Sequence, residues 1–300
     1  MNHLVHKIKV ALINSSLDEP YHSYGDHWRD GFEDAGCEVT VFPYEKIPLI
    51  PPRYDLYFFV EIRYDCNSIA YYLNPRVLYS WDSHVVGTEY YAAQSKYFDK
   101  VLLASKIDVD VLNAKGFKNF LWIPEACNPR VHRNMRHERP INLGLLGCTN
   151  GTLTKRGKTR NDFLEHLDKS PYGLYRIEGI YGEQYAIEQN KIKIMFDRTI
   201  THNIGTRIFE SSAAGCVPLW SADFRKENGI DDLLTAGVHY VPYESFEDLD
   251  KALENLFNNP DKMNYITKTA EKHVLNNHTY AHRVWQILDN LGIKTIKIVT

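Results

Sequence analysis

Residues 203–219 read NIGTRIFESSAAGCVPL, and this stretch combines a short predicted helix with the strand that follows it. Gly205 and Thr206 are positions where a helix can begin, with Thr206 as the predicted N-cap. Gly215 stands where the helix can end. The apolar run Cys216–Trp220 then has the length of a buried strand. A helix that leads almost directly into a buried strand is typical of a parallel α/β sheet.

The same alternation extends over the rest of the chain. Short runs rich in Val, Ile, Tyr and Phe recur between amphipathic stretches of helical length, such as Asp26–Ala35 and Ile107–Lys115. The predicted strands are Lys9–Asn14, Asp55–Glu61, Arg76–Trp81, Lys100–Ser105 and Asn119–Pro124, followed by Ile141–Gly147, Gly173–Glu178, Lys191–Phe196, Cys216–Trp220 and His239–Pro242. A polar, basic stretch at Asn128–Arg139 separates the two sets. The fold class predicted is α/β, with two Rossmann-like parallel-sheet domains that face each other across a cleft.

We divide the chain into three predicted segments. Residues 1–135 form an N-terminal Rossmann-like domain, and residues 136–278 form a C-terminal Rossmann-like domain. Residues 279–300 form a terminal helix and tail that pack back toward the N-terminal domain. Because ligands of open parallel sheets bind at the carboxyl ends of the strands, the loops after the strands are where functional residues are expected.

The composition excludes several classes of protein. With 300 residues, 44% of them hydrophobic and 24% charged, the chain is neither disordered nor collagen-like. The net charge of −3 argues against binding nucleic acid through bulk charge, although a local basic groove stays open. Five scattered cysteines without a CxxC pair indicate a reduced, intracellular protein. The apolar run near the N-terminus is too short for a signal or a membrane span, so we expect a cytoplasmic protein without integral membrane association.

Arg207 and Glu210 are the first candidate site residues. They are three positions apart near the start of the predicted helix, so they share one face of it. The free N–H groups and the dipole of that end favour a phosphate, and a carboxylate one turn later can accept hydrogen bonds from ribose hydroxyls. An exposed ion pair between the two residues is the alternative interpretation of the same spacing.

A second candidate segment is residues 147–167, GCTNGTLTKRGKTRNDFLEHL. Its glycines Gly151 and Gly157 are separated by five residues, whereas a Walker A loop has four. The segment is therefore a P-loop variant, a solvated basic loop, or a loop that faces a phosphate and leads to a basic residue, for which Arg160 fits best. Farther along, Tyr181 follows a strand and either packs on a nucleobase or is a half-buried surface tyrosine.

In the first domain, the predicted strand Arg76–Trp81 is followed by Asp82 and His84. An acid and a histidine at the carboxyl end of a strand can act as a base or orient a substrate, although such an Asp is also common as a turn residue or N-cap. The other candidates there lie in a polar first loop, Ser15–His27, and at the end of another strand, at Glu61 and Arg63. The loop contains Asp18, Glu19, His22, Tyr24, Gly25 and His27, and Asp26 is the predicted N-cap of the helix that follows.

The sequence lacks the motifs of common metal sites and hydrolases. His132, His137 and Glu138 lie in the basic stretch and are expected to be solvated. The sequence has no HExxH, no GxSxG and no close Cys/His metal spacing. We therefore predict no metal site and no required cofactor.

The run RIFESSAAGCVPL resembles the nucleotide-sugar-binding segment of GT-B glycosyltransferases, in which a Glu stands five residues before a Gly and a Pro follows. Arg-x-Phe-Glu before small residues and Gly is most similar to the CgeB-like (spore maturation-type, glycosyltransferase group 1) branch. Three further pieces resemble that branch, namely YFDKV at Tyr97–Val101, IPEACNP at Ile123–Pro129 and HTYAHR at His278–Arg283.

This resemblance implies a GT-B fold and transfer of a sugar from a nucleoside-diphosphate sugar, with a UDP-sugar favoured, to an acceptor hydroxyl without a metal. The residues it implies for donor binding are Arg160, Tyr181, Gly205, Thr206, Arg207 and Glu210, with Glu210 at the ribose. Asp82 and His84 become the catalytic candidates, for proton transfer or acceptor alignment. His202 departs from the pattern, because related enzymes often have a second Glu at this position, eight residues before Glu210.

Other functions stay open at this point. A nucleotide-sugar epimerase uses the same fold, and a P-loop-like nucleotide-binding module would fit the segment 147–167. A binding protein without chemistry is a third alternative. The acceptor can be a polymer, a protein, a lipid-linked sugar or a modified DNA base, and a DNA-base-directed glycosyltransferase would use the basic stretches for its contacts.

Overall fold

The computed structural model describes residues 7–14, 24–61, 69, 72–147, 160–199 and 202–293, apart from the side chains of residues 84 and 85. The strands in these ranges are β1 Lys9–Asn14, β2 Glu38–Pro43, β3 Leu56–Val60, β4 Arg76–Ser80, β5 Lys100–Leu103, β6 Phe120–Trp122, β7 Ile141–Leu146, β8 Tyr175–Ile177, β9 Ile192–Asp197, β10 Val217–Ser221 and β11 Val241–Tyr243. The helices are α1 Tyr24–Asp34, α2 Ser83–Val86, α3 Thr88–Gln94, α4 Lys106–Ala114, α5 Arg160–Asp168, α6 Gly182–Gln189, α7 Arg207–Ala213, α8 Ile230–Leu233, α9 Phe246–Asn258, α10 Pro260–Asn277 and α11 Tyr280–Asn290.

The chain forms two compact units. The first contains the described residues up to Glu125 together with those from Tyr280 onward, and the second is Ala126–Thr279. The boundary predicted after residue 135 lies ten residues beyond the one at Glu125. No helix among the described residues is both long enough and apolar enough to cross a membrane.

The first unit is built on a six-stranded parallel sheet with the order β2-β1-β3-β4-β5-β6. The strands β1 and β3 are buried almost throughout, which explains their continuous apolar sequences. Helices α1 and α11 pack on each other, and a Cβ on Gly31 would lie only 2.6 Å from the Cβ of Tyr280. This close approach of two helices therefore requires a glycine in α1.

The second unit is built on a five-stranded parallel sheet with the order β11-β10-β9-β7-β8. Its main core combines apolar side chains of β7, β9 and β10 with those of α5, α9 and α10. Helix α7 ends at Ala213, and Gly215 follows with a φ of 78°, a left-handed conformation that suits glycine. The predicted helix-to-strand passage in this stretch is confirmed.

The structure differs from the sequence-based expectation at three places. Strand β2 was not predicted, because it lies at a sheet edge where its residues are mostly half-buried and carry no continuous apolar signal. Asp26 is not an N-cap but lies in the first turn of α1, where its carboxylate pairs with Arg29. Thr206 precedes α7 as expected, but it has helical dihedral angles and its side chain makes no capping hydrogen bond.

Candidate functional site

The first residue of α7, Arg207, lies at the carboxyl edge of the second sheet. Its Nε donates to the carbonyl of Leu146 at 3.0 Å, and its Nη1 donates to Oδ1 of Asp197. Leu146 and Asp197 are the last residues of β7 and β9, so two neighbouring strands hold the guanidinium. The side chains of Arg207 and Asp197 are only 16% and 6% exposed. Burial alone would lower the pKa of Arg207, but Asp197 and the neighbouring Tyr185 and Glu210 raise it above its usual value. Arg207 therefore stays cationic.

Glu210 lies one turn farther along α7 and contacts a different set of residues. Its Oε2 accepts a hydrogen bond from the hydroxyl of Tyr185 at 2.9 Å, and its Oε1 lies 3.6 Å from Nε2 of His132. Burial, and then the Glu210 carboxylate, raise the pKa of Tyr185 well above its usual value, so Tyr185 stays a donor. Because Arg207 and Glu210 are both largely buried and each has partners from other elements, an exposed ion pair between them is the wrong interpretation.

His132 was expected to be solvated, and this prediction is wrong. Its side chain is 3% exposed, whereas His137 and Glu138 are exposed as predicted. The reason is a tight turn after β6, in which the amides of Val131 and His132 both donate to the carbonyl of Asn128. This turn directs the imidazole inward, toward α6 and α7.

Arg160 begins helix α5 and is also buried. Its Nε and Nη2 donate to the carbonyl of Arg198 at 2.9 and 2.6 Å, and Nη2 lies 3.9 Å from Oδ1 of Asp197. Arg160 and Arg207 therefore flank the same carboxylate. The structure brings these two predicted donor residues together around Asp197, an acid that is not among the predicted site residues.

The other donor-side candidates lie around this group in different ways. Gly205 and Thr206 directly precede α7, and a Cβ on Gly205 would lie 3.9 Å from Oδ2 of Asp197. Tyr181 stands just before α6 and is 51% exposed. His202 packs its ring 6.0 Å from that of Phe224.

The remaining predictions for this unit concern residues 148–159, which lie outside the described residues. They include both glycines of the P-loop comparison and the basic residues before Arg160. The P-loop and basic-loop interpretations of this segment stay predictions.

In the first unit, Asp82 lies at the N-cap position of α2, at the carboxyl edge of β4. Its side chain makes no capping hydrogen bond, while its amide and that of Trp81 donate to Oε1 of Glu61 at 3.1 and 2.5 Å. Glu61 is buried, and its φ of 51° is unusual for a residue other than glycine. Burial raises the pKa of Glu61. His84 belongs to α2, but its side chain lies outside the described part.

The predicted first loop, Ser15–His27, is shorter than expected. Its last four residues, from Tyr24 to His27, are already in α1, where the ring of Tyr24 stacks on that of Trp81 at 4.1 Å. The loop candidates Asp18, Glu19 and His22 lie outside the described residues, as does Arg63.

The predicted site lacks three residues, namely the buried Asp197 and His132 and the half-buried Tyr185. Asp197 has a usable signal, because it directly follows the predicted strand Lys191–Phe196, at the end of the strand where ligands of parallel sheets bind. Tyr185 and His132 have none, because their roles depend on tertiary contacts with Glu210. Within the described ranges, no group of three His, Cys, Asp or Glu side chains is arranged to hold a metal ion.

Comparisons with known proteins agree with this architecture. Residues 155–289 match the protein-family model described as "Glycosyl transferase-like". None of the curated protein sequences matches the chain. Among solved structures, HepE from Anabaena in complex with UDP is similar with a TM-score of 0.65 and 10% identity, over 95% of this chain and 100% of that one.

Two further solved structures are similar at comparable levels. Sucrose-phosphate synthase from Thermosynechococcus elongatus has a TM-score of 0.62 and 12% identity, over 95% of this chain and 99% of that one. AviGT4, a glycosyltransferase involved in avilamycin A biosynthesis, has a TM-score of 0.60 and 11% identity, over 94% and 96% of the two chains. The predicted two-domain, Rossmann-like GT-B fold is confirmed. With the glycosyltransferase-like segment over residues 155–289, these similarities support a transferase enzyme.

Proposed function

We propose that this protein is a glycosyltransferase of the CgeB-like branch that moves a sugar from a nucleoside-diphosphate sugar, with UDP as the favoured nucleotide, to an acceptor hydroxyl. The observation that carries the proposal is the arrangement of α7. It presents a buried cation, Arg207, and a buried carboxylate, Glu210, at one sheet edge, each oriented by its own partners. HepE was solved with UDP and also with UDP-glucose, which favours a UDP-sugar for a chain of the same fold.

The diphosphate end of the donor is assigned to Arg207. Its Nε and Nη1 are engaged with the ends of two strands, and among the described residues no acceptor contacts its Nη2. That Nη2 lies beside Gly147, where an added Cβ would come within 3.1 Å of it. A guanidinium fixed on one side, with donors remaining on the other, suits a phosphate oxygen. Arg160 lies beside the same Asp197 and adds to the positive charge at this edge.

The ribose end is assigned to Glu210. An ionised carboxylate offers only acceptors, so it suits hydroxyl groups and repels phosphate. Gly205 and Thr206 directly precede Arg207 at the start of α7, where their amides can contribute to diphosphate binding. Tyr181 remains the candidate for stacking on the nucleobase, since its exposed ring is accessible to a ligand.

In the proposed reaction, the acceptor hydroxyl oxygen forms a bond to the anomeric carbon, and the bond from that carbon to the diphosphate oxygen breaks. The electron pair stays on the departing nucleoside diphosphate, where Arg207 and Arg160 stabilise the added negative charge without a metal. The hydroxyl proton leaves the acceptor, and Asp82 and His84 are the candidates to take it or to align the hydroxyl. The acceptor itself is left open by this proposal.

Calorimetric titration of the full chain with UDP, GDP and ATP, each with Mg²⁺ or with EDTA, tests the donor assignment. We expect UDP to bind in EDTA and Glu210→Gln to weaken this binding about tenfold, because a hydrogen bond to a charged group contributes about 1.5–3 kcal/mol. Glu183→Gln, which alters an exposed carboxylate on α6, is the matched control and should leave the affinity unchanged. Binding of ATP alone, and only with Mg²⁺, would contradict the proposal and favour the P-loop alternative.

A further inference from the structure

His132 is buried beside Tyr185 and Glu210, and the proposed reaction does not yet explain its place there. The imidazole is buried, and its ring packs edge-on against that of Tyr185 with 6.0 Å between the centroids. Tyr185 is the residue that donates to Glu210 Oε2, while His132 Nε2 faces the other oxygen, Oε1, at 3.6 Å. The two oxygens of the Glu210 carboxylate are therefore each contacted by a different side chain.

The turn at Asn128 fixes which nitrogen of His132 carries the proton. The amide of Asn128 donates to Nδ1 of His132 at 3.1 Å, so Nδ1 is an acceptor and the hydrogen of the neutral ring is on Nε2. The Asn128 side chain closes the same turn, since its Oδ1 accepts from the amide of Arg130 at 3.0 Å. A second proton on Nδ1 would point at an N–H group, so this turn favours the neutral ring with its N–H toward Glu210.

We propose that His132 is a positioning residue of the donor site, which acts through Glu210 by directing its Nε2–H at Oε1 of that carboxylate. With Tyr185 on Oε2, it fixes the rotation of the carboxylate that meets the nucleotide. This inference rests on the proposed function, because it assumes that Glu210 contacts the donor. It differs from a structural role, in which His132 only completes the turn at Asn128.

Two substitutions separate these roles. Asparagine places its Oδ1 near the position of Nδ1, so His132→Asn keeps an acceptor for the Asn128 amide and removes the donor toward Glu210. Glutamine places its amide near the position of Nε2, so His132→Gln keeps a donor toward Glu210 and removes the acceptor. A positioning role predicts that His132→Asn weakens UDP binding about five- to tenfold and that His132→Gln stays within about twofold of the wild type. A structural role predicts the reverse order.

The test is calorimetric UDP titration of the full chain for both variants, each also combined with Glu210→Gln, with thermal unfolding as a check of folding. If His132 acts through Glu210, the effect of His132→Asn largely disappears in the Glu210→Gln background. His137→Asn changes an exposed histidine of the same segment and serves as the control.

Each result has a defined meaning. An unchanged affinity in His132→Asn, an undiminished effect in the Glu210→Gln background, or loss of folding in both His132 variants would overturn the inference. If the wild-type protein binds no UDP, the proposed function fails. If the wild type binds UDP and Glu210→Gln weakens it while His132→Asn does not, only the inference about His132 fails.

Discussion

Arg139 connects the basic stretch Asn128–Arg139, here called the linker, to three elements of the second unit, and its replacement by methionine removes these bonds. Its guanidinium donates to the carbonyls of Gln189 (3.4 Å), Ile192 (2.7 Å) and Ala214, to the side-chain oxygens of Asn134 (3.3 Å) and Asn190 (3.4 Å), and to Sγ of Cys216 (3.4 Å). The three carbonyls belong to the end of α6, the start of β9 and the C-cap of α7. Methionine fills a similar volume but donates to none of them.

The expected cost follows from the acceptors left behind. Each buried carbonyl that loses its partner costs about 1–3 kcal/mol. The carbonyl of Gln189 also accepts from the thiol of Cys216, so it keeps a partner, and the carbonyls of Ile192 and Ala214 are the two that lose Arg139. Because Arg139 is only partly buried, water can reach these acceptors, and we take the lower end of that range for each of the two. Arg139→Met should therefore lower the free energy of unfolding by about 2 kcal/mol.

Urea unfolding, followed by circular dichroism and by tryptophan fluorescence, measures this loss. Arg133→Met is the matched control, because Arg133 lies in the same linker and forms an exposed ion pair with Glu183. Exposed pairs contribute little, so the control should change stability by less than about 0.5 kcal/mol. If Arg139→Met costs no more than Arg133→Met, the bonds of Arg139 do not hold the three elements together and the reasoning is wrong.

Three further predictions concern single positions. Gly147 has a φ of 101°, and a Cβ added there would lie 3.1 Å from Nη2 of Arg207. Gly147→Ala should therefore lower the free energy of unfolding by about 1–3 kcal/mol and weaken UDP binding, and an unchanged UDP affinity would contradict the donor site. Burial raises the pKa of Glu61 in the folded protein, so the native state binds its proton more tightly than the unfolded state, and the free energy of unfolding falls as the pH rises between the two pKa values. In urea titrations, the stability of Glu61→Gln relative to the wild type should therefore rise from pH 4 to pH 7, and a pH-independent difference would refute this. Burial raises the pKa of the Cys216 thiol to about 11, so iodoacetamide at pH 8 should modify Cys216 only after unfolding. Rapid labelling of Cys216 in the native protein, located by peptide mass spectrometry, would contradict its burial.

The sequence is informative where local patterns decide the structure. Strand β10 is predictable because a strand that is buried on both faces needs a continuous apolar run. The end of α7 is predictable because a residue with positive φ after a helix is usually a glycine. Strand β2 is not predictable in this way, because an edge strand with half-buried residues has a weaker pattern. The order of the strands in each sheet also depends on contacts that are distant in sequence.

The candidate site is predictable only in part for a related reason. The spacing of Arg207 and Glu210 places both on one helix, but the same spacing fits an ion pair, and only the tertiary partners separate the two interpretations. The linker that contains His132 is polar and basic, which is typical of a solvated segment. Its burial results from one turn closed by Asn128, and no periodic pattern reports such a turn.

The charges around Asp197 explain how the site can be both stable and ready to bind an anion. Two buried guanidinium groups near each other would be costly without compensation, because each loses hydration and they repel. Asp197 pairs with Arg207 and lies 3.9 Å from Arg160, so the three groups together carry two positive charges against one negative charge. This group of three side chains therefore has one net positive charge. Because the carboxylate also fixes the direction of Arg207, a diphosphate would meet a guanidinium that is already oriented, and little conformational entropy would be lost on binding. Asp197 thus makes the cationic edge compatible with folding and sets its geometry, although its own charge opposes that of the ligand.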